Sequence, residues 1–277
     1  MRFTLAALLG SALVARQALA ELTFTVAATK DGVPIPQSEI KLEPMEFGTG
    51  RVGHATPAQG HRRFRRANAA ATSANWCGAV NTASSSNQIK VVHASFQHPS
   101  CSTRTGATYP QAAAAWAGID GDSHTSALLQ AGTVCKIDNS TGIVRHEAWW
   151  QWVPEAANTV TSLPVAPHDY IEITINTNST TAAEITLTNV SKGYTYTVSI
   201  RDGPALARVD ADWVVERPYY GATLAGFPTF TDVWFDEAYA TRVSGANLGV
   251  LGSKQYQIPN LCASIEDGDA AQVSWSL

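Results

Sequence analysis

Ten short runs rich in apolar, β-branched and aromatic residues recur from about residue 75 to the end of the chain. They are "QIKVVHASF", "AAAAWAGID", "ALLQAGTV", "EAWWQWV", "YIEITINT", "EITLTNV", "YTYTVSI", "DWVVE", "TDVWFDEAYA" and "AQVSWSL". Gly, Asn, Ser, Thr and Pro separate them, and no stretch carries a sustained 3.6-residue apolar period. Many short strands with turn signals between them predict an all-β fold, an antiparallel β-sandwich or barrel built as one domain. No internal repeat divides it.

The first 66 residues read differently. "MRFTLAALLGSALVARQALA" has a basic start, a short apolar run and an Ala-Leu-Ala cleavage site, so residues 1–20 form a secretory signal peptide. The apolar run is too short to span a bilayer, and no later stretch reaches the length needed. The expectation is a secreted protein with no membrane partner. Residues 21–66 are rich in Pro, Gly and charge and end in "HRRFRR". Arg62 and Arg63, then Arg65 and Arg66, suit either a basic nucleic-acid patch or a processing site. In a secreted chain we read a propeptide over 21–66 and a mature domain over 67–277, with no nucleic-acid partner.

Charge follows the same boundary. Residues 1–66 hold 9 of the 19 Lys and Arg and 5 of the 23 Asp and Glu, a net of +4; the remainder holds 10 and 18, a net of −8. Few basic groups limit self-repulsion once carboxylates protonate in acid. The four cysteines in an oxidising compartment imply two disulfides. Proximity in sequence favours Cys77–Cys101, leaving Cys135–Cys262. Asn139, Asn178 and Asn189 open N-x-S/T sequons, expected on exposed turns open to glycosylation.

Most familiar catalytic signatures are missing. There is no Asp-Thr/Ser-Gly triplet, HExxH, GxSxG or P-loop, and "DGD" at 120–122 lacks the spacing of a calcium loop. No metal or cofactor is expected. What stands out is polar residues inside apolar strands. Side chains alternate along a strand, so Glu147, Trp149, Gln151 and Val153 share one face in "HEAWWQWVPE". Leu128 and Gln130 share one in "SALLQAG". Asp212, Val214 and Glu216 share one in "ADWVVE", with Trp213 and Val215 opposite. Trp116 precedes Asp120 and Asp122. A sheet face bearing Trp, Gln and carboxylates suits a cleft floor as well as it suits a satisfied polar network.

The segments "NWCGAV", "AAWAGIDGD", "SALLQAG", "HEAWWQWVPE", "ADWVVE" and "FPTFTDVWFDEAYA" resemble, in order and spacing, the glutamic peptidase (eqolisin) family. The resemblance implies two bent seven-stranded sheets in a sandwich and a secreted, monomeric, pepstatin-insensitive acid endopeptidase acting on polypeptides. It implies Gln130 and Glu216 as catalytic pair. Glu216 would take a proton from water and return it to the leaving amine; Gln130 would hold that water and donate to the oxyanion. Trp116, Asp120, Glu147 and Trp149 match substrate-binding positions. Gln151 stands where the family's best-known members have Glu, and Cys77 where Gly or Ala is usual. The opposite charges of 21–66 and 67–277 suggest the propeptide as inhibitor, with Lys30 or Lys41 over Glu216. A sugar hydrolase using Glu147 and Glu216, or a sugar-binding module, is the alternative on such a sandwich.

Overall fold

In the strand Tyr170–Thr177, buried Ile171, Ile173 and Ile175 alternate with half-exposed Glu172, Thr174 and Asn176. That period of two is the pattern of a sheet with one covered face, and it recurs through the molecule. The structure is a computed structural model that describes residues 22–50, 53, 70–138 and 141–275. The expected signal peptide and the dibasic pairs lie outside them. Two single 3₁₀ turns, Gln37–Glu39 and Val190–Lys192, are the helical elements among the described residues.

Two large sheets pack face to face as an antiparallel sandwich. One has ten strands, running Val33–Pro34, Thr23–Lys30, Tyr194–Arg201, Ala183–Asn189, Tyr170–Thr177, Ile89–Gln97, Val233–Arg242, Ala270–Trp275 and Cys262–Asp267, with Asn247–Gly249 beside Val233–Arg242. The other has nine, running Glu43–Pro44, Asn158–Thr159, Val144–Val153, Leu128–Ile137, Gln111–Ile119, Asp210–Glu216, Trp76–Thr82, Lys254–Gln257 and Ala71–Thr72. Pairing is antiparallel except at that last edge. Seven strands per sheet were implied by the family resemblance. The sheets are wider partly because residues 23–44 add strands to an edge of each.

The nine-stranded sheet is covered on both faces. Ala113, Ala115, Ala117, Trp150, Trp152, Trp213 and Val215 turn toward the other sheet and join its Ile, Val and Phe side chains in the main core. Trp213 crosses the interface and donates from Nε1 to the His93 carbonyl at 2.9 Å. Trp76, Ala112, Ala114, Trp116, Leu128, Val134, Trp149 and Val214 form a second cluster on the face turned away. The alternation read from the sequence therefore assigns these faces as the structure does.

Two expectations are corrected. The disulfides are Cys77–Cys262 and Cys101–Cys135, with Cα separations of 6.2 and 6.3 Å. Nearness in sequence misleads here because Cys77 lies within a strand of one sheet, while Cys262 opens a strand of the other sheet that packs beside it. Asn189 is fully buried rather than on an exposed turn. Its Nδ2 donates to the Pro164 carbonyl and to Asp169 Oδ2, both at 2.8 Å. Asn178 is exposed, and Asn139 lies outside the described residues.

Candidate active site

Glu216 closes the strand Asp210–Glu216, opposite Trp76 on one side and Ala114 on the other. It is fully buried on the face turned from the main core. Three donors converge on it. Oε1 accepts from the Gly50 backbone N–H at 3.0 Å and from Asn75 Nδ2 at 3.2 Å. Oε2 accepts from Trp116 Nε1 at 3.0 Å. Burial raises the carboxyl pKa well above the usual range, and the donated hydrogen bonds offset part of that rise.

The indole of Trp116 reaches this carboxylate because its neighbour across the strands is Gly132. A Cβ at Gly132 would lie 2.6 Å from the Trp116 Cβ and 2.1 Å from the Ala115 carbonyl. Trp76 packs edge-on against Trp116, with centroids 5.0 Å apart. Two indoles thus wall the carboxylate.

Gln130 lies in Leu128–Ile137, paired with Gly118 and with Gln151, so one strand separates it from the strand of Glu216. It too is fully buried. Its Nε2 donates to Thr49 Oγ1 at 2.9 Å and toward Gln151 Oε1 at 3.4 Å. Its Oε1 has no hydrogen-bond partner among the described residues. Gln151 Oε1 also accepts from the Thr49 hydroxyl, while its Nε2 donates to the Glu155 carbonyl at 2.7 Å.

Gln130 and Glu216 therefore converge on consecutive residues, Thr49 and Gly50. The stretch around them lies across the site. Phe47 and Gly48 pair with Tyr220 and Tyr219, and Phe47 is buried in the apolar cluster of this face. The Gly50 carbonyl accepts from Trp76 Nε1 at 2.9 Å. Neither Lys30 nor Lys41 covers Glu216, contrary to the charge-based expectation. Lys30 pairs with Asp31 at 2.9 Å, on the edge of the ten-stranded sheet. Lys41 is bound through its backbone to Ser162.

The other candidate residues divide. Trp116, Trp149 and Gln151 lie on the site face, with Trp116 and Gln151 in direct contact with the central pair. Asp120 is buried behind it. It accepts from the backbone N–H groups of Arg208, Val209 and Asp210 at 2.9, 2.8 and 3.3 Å, holding the entry to the strand that carries Glu216. Glu147 forms an ion pair with Lys136 at 2.8 Å, and Lys136 also reaches Glu46 at 3.4 Å. Glu147 and Glu216 thus do not meet as a carboxylate pair. Sequence reasoning did not single out Asn75 or Thr49. A polar residue opening the strand "NWCGAV" was the available signal for Asn75; "GTG" at 48–50, small enough to enter a narrow site, was the signal for Thr49.

A buried carboxyl and a primary amide thus contact consecutive residues, the Gly50 N–H and the Thr49 hydroxyl, on one face of a β-sandwich. The Peptidase A4 family matches residues 74–275, and the chain belongs to that family, the glutamic peptidases. Aspergillopepsin-2 of Aspergillus niger is 33% identical over 140 residues, which are 50% of this chain and 48% of that protein. Scytalidopepsin B of Scytalidium lignicola is 30% identical over 220 residues, 78% of this chain and 73% of that protein. Among solved structures, scytalido-glutamic peptidase with a transition-state analogue inhibitor superposes with a TM-score of 0.63 at 22% identity, covering 73% of this chain and 98% of that one. Aspergilloglutamic peptidase from Aspergillus niger superposes at 0.55 and 29% identity, covering 60% and 99%.

Proposed function

We propose that this chain is a secreted acid endopeptidase in which Glu216 and Gln130 are the catalytic pair, and that residues 47–50 hold it inactive. The observation that carries this reading is the placement of the Thr49–Gly50 peptide unit. The Gly50 nitrogen rests on the Glu216 carboxyl, where a leaving amine must collect its proton. The Thr49 hydroxyl rests on the Gln130 amide, where the attacking water and then the oxyanion must sit.

In an open cleft Glu216 regains contact with water, its pKa falls toward the ordinary range, and the carboxylate takes a proton from the attacking water. Gln130 Nε2 donates to the carbonyl oxygen as it becomes tetrahedral. Protonated Glu216 then delivers its proton to the departing nitrogen. Asn75 and Trp116 hold the carboxylate in place through the cycle. A Gln stays neutral at any working pH, so the pair avoids the shared proton of two adjacent carboxylates.

Inhibition by residues 47–50 follows from the same contacts: the Thr49 hydroxyl occupies the position of the nucleophile, and burial keeps Glu216 protonated and unable to act as base. The test is digestion of denatured protein at pH 3 by chain cut beyond Gly50, with and without a pepstatin-type inhibitor. Pepstatin-resistant digestion supports the reading. Full inhibition by pepstatin, or absence of digestion after the cut, overturns it.

A further inference from the structure

The strand Val233–Arg242 turns inward at Val233 and Phe235, and inward again at Ala238 and Ala240. The period of two slips by one residue between them. Asp236 pairs with Ser95 and Tyr239 with His93, so three steps on this strand match two on its neighbour, a β-bulge. Glu237 lies in the bulge at φ +49°. It is the one non-glycine residue with positive φ inside a strand among the described residues. Glycine would adopt that conformation at less cost, yet a carboxylate occupies it.

The slip decides which side chains share a face. Trp234 and Tyr239, an odd number of residues apart, both turn outward and are each 38% exposed. They lie on the side of the ten-stranded sheet turned from the main core, across the sandwich from Glu216. A cavity of about 510 Å³ opens there, lined by His93, Glu237, Tyr239, Asn247, Gly249 and Asp269. The His93 ring stacks on the Tyr239 ring, centroids 5.0 Å apart and planes inclined by 27°. His93 Nδ1 shares a hydrogen bond with Thr174 Oγ1 at 2.8 Å, and its Nε2 lies 3.8 Å from a Glu237 carboxylate oxygen. Asn247 Oδ1 accepts from Thr241 Oγ1 at 3.1 Å, which leaves its NH2 to donate. Gly249 sits opposite Tyr239. A Cβ there would meet only the Ala238 carbonyl, at 4.0 Å. Packing does not require a glycine at this point; its effect is to keep the cavity open beside the ring.

The mixture of groups selects the ligand. A peptide adding as a strand needs a free edge, and Val233–Arg242 is paired on both sides, with Ile89–Gln97 and with Ala270–Trp275 and Asn247–Gly249. An apolar partner would bury Glu237 and Asp269 without donors. A sugar satisfies every group. The C–H face of a pyranose packs on an aromatic ring, and its hydroxyls donate to carboxylates and imidazole and accept from an amide. The volume is that of a small-ligand site.

We propose that this cavity is a carbohydrate-binding site, which takes one residue of an oligosaccharide against Tyr239 and stacks a further residue of the same sugar chain on Trp234. Sugar held there would tether the protein and leave the opposite face free. The site stands or falls separately from the peptidase reading.

The test titrates the intact chain with three neutral probes, cellohexaose, laminarihexaose and chitohexaose, up to millimolar concentration, read by calorimetry and tryptophan fluorescence. Binding of at least one is expected. Tyr239→Ala removes the stacking ring and Gly249→Val fills the cavity, and each should weaken that binding by about tenfold or more. Glu237→Gly separates binding from folding. Glycine accepts the left-handed backbone, so the melting temperature should hold or rise, while loss of the carboxylate weakens binding by about tenfold. Failure of all three probes to bind overturns the proposal. So does binding that survives Tyr239→Ala, or parent-like binding by Glu237→Gly, which would make the bulge a folding feature alone.

Discussion

Asp212 and Glu216 sit four residues apart on one strand and point to the same face, and both are fully buried. Their surroundings are opposite. Glu216 accepts hydrogen bonds from Gly50, Asn75 and Trp116. Neither oxygen of Asp212 has a partner among the described residues, and Asp210, Asp120 and Asp122 add negative charge nearby. Burial raises both pKa values, and in Asp212 the neighbouring carboxylates raise it further. A buried carboxyl that accepts hydrogen bonds can carry its charge. A bare one is tolerated only while it keeps its proton. Under the proposed mechanism the first carboxyl acts in the reaction and the second only makes stability depend on pH, and substitutions at each should part along that line.

The largest effect is expected at Glu216. In chain freed of residues 47–50, Glu216→Gln should lower kcat by about 10²–10⁴-fold, the usual contribution of a general base. The melting temperature is the control for folding, since the amide matches the carboxyl in size but turns its NH2 toward one of the donors, Asn75 Nδ2 or Trp116 Nε1. Peptide hydrolysis at the parent rate by folded protein would remove Glu216 from the mechanism. Gln130→Ala should follow with a loss of about 10²–10³-fold, as for an oxyanion donor, carried in kcat rather than KM. A loss confined to KM would make Gln130 a binding residue only.

Asp212→Asn should leave the rate almost untouched and change how stability depends on pH. A carboxyl whose folded pKa is raised binds its proton more tightly in the folded chain. Stability is therefore full below its unfolded pKa, about 3.9, and falls as pH rises toward the folded value. The slope approaches about 1.4 kcal/mol per pH unit for one such group. Melting curves between pH 3 and pH 7 should show the parent losing stability on the way up and Asp212→Asn losing less. Two parallel profiles would show that Asp212 does not set the acid preference.

The same strand shows how much was legible in the sequence. The alternation in "ADWVVE" placed Asp212, Val214 and Glu216 on one face correctly, because a period of two is a local property of the strand. The strand positions of Gln130 and Gln151 followed likewise, and the match of "SALLQAG" and "ADWVVE" to a family supplied their proposed roles. What was not legible depends on contacts distant in sequence. Asn75 and Glu216 meet across 141 residues, and Thr49 meets Gln130 across 81. The disulfides join strands in an order that proximity along the chain does not reveal. Net charge suggested a lysine over the site. The site instead takes the backbone of Gly50 and the hydroxyl of Thr49, because a narrow buried cleft accepts small residues more readily than a charged one. Asn189 carries a sequon, yet its side chain is spent on Pro164 and Asp169.

Gln151→Glu is the smallest and most specific of these tests. Gln151 is poised between the Gln130 amide and the backbone: Oε1 accepts from Gln130, and Nε2 donates to the Glu155 carbonyl at 2.7 Å. A carboxyl here keeps the first contact through one oxygen. Its second oxygen faces a carbonyl and fits only while it carries a proton to donate. The burial of this position, with 6% of its surface exposed, also favours the neutral form. In acid the variant should match the parent. As pH rises the new carboxyl ionises against the Glu155 carbonyl, and its charge opposes the oxyanion forming beside Gln130. The rate should then fall severalfold over a pH range where the parent is flat. The measurement is kcat/KM on one peptide from pH 2 to pH 6 for both proteins. Superimposable profiles would mean that the 151 side chain does not act on Gln130, and that its contact with the amide only fills space.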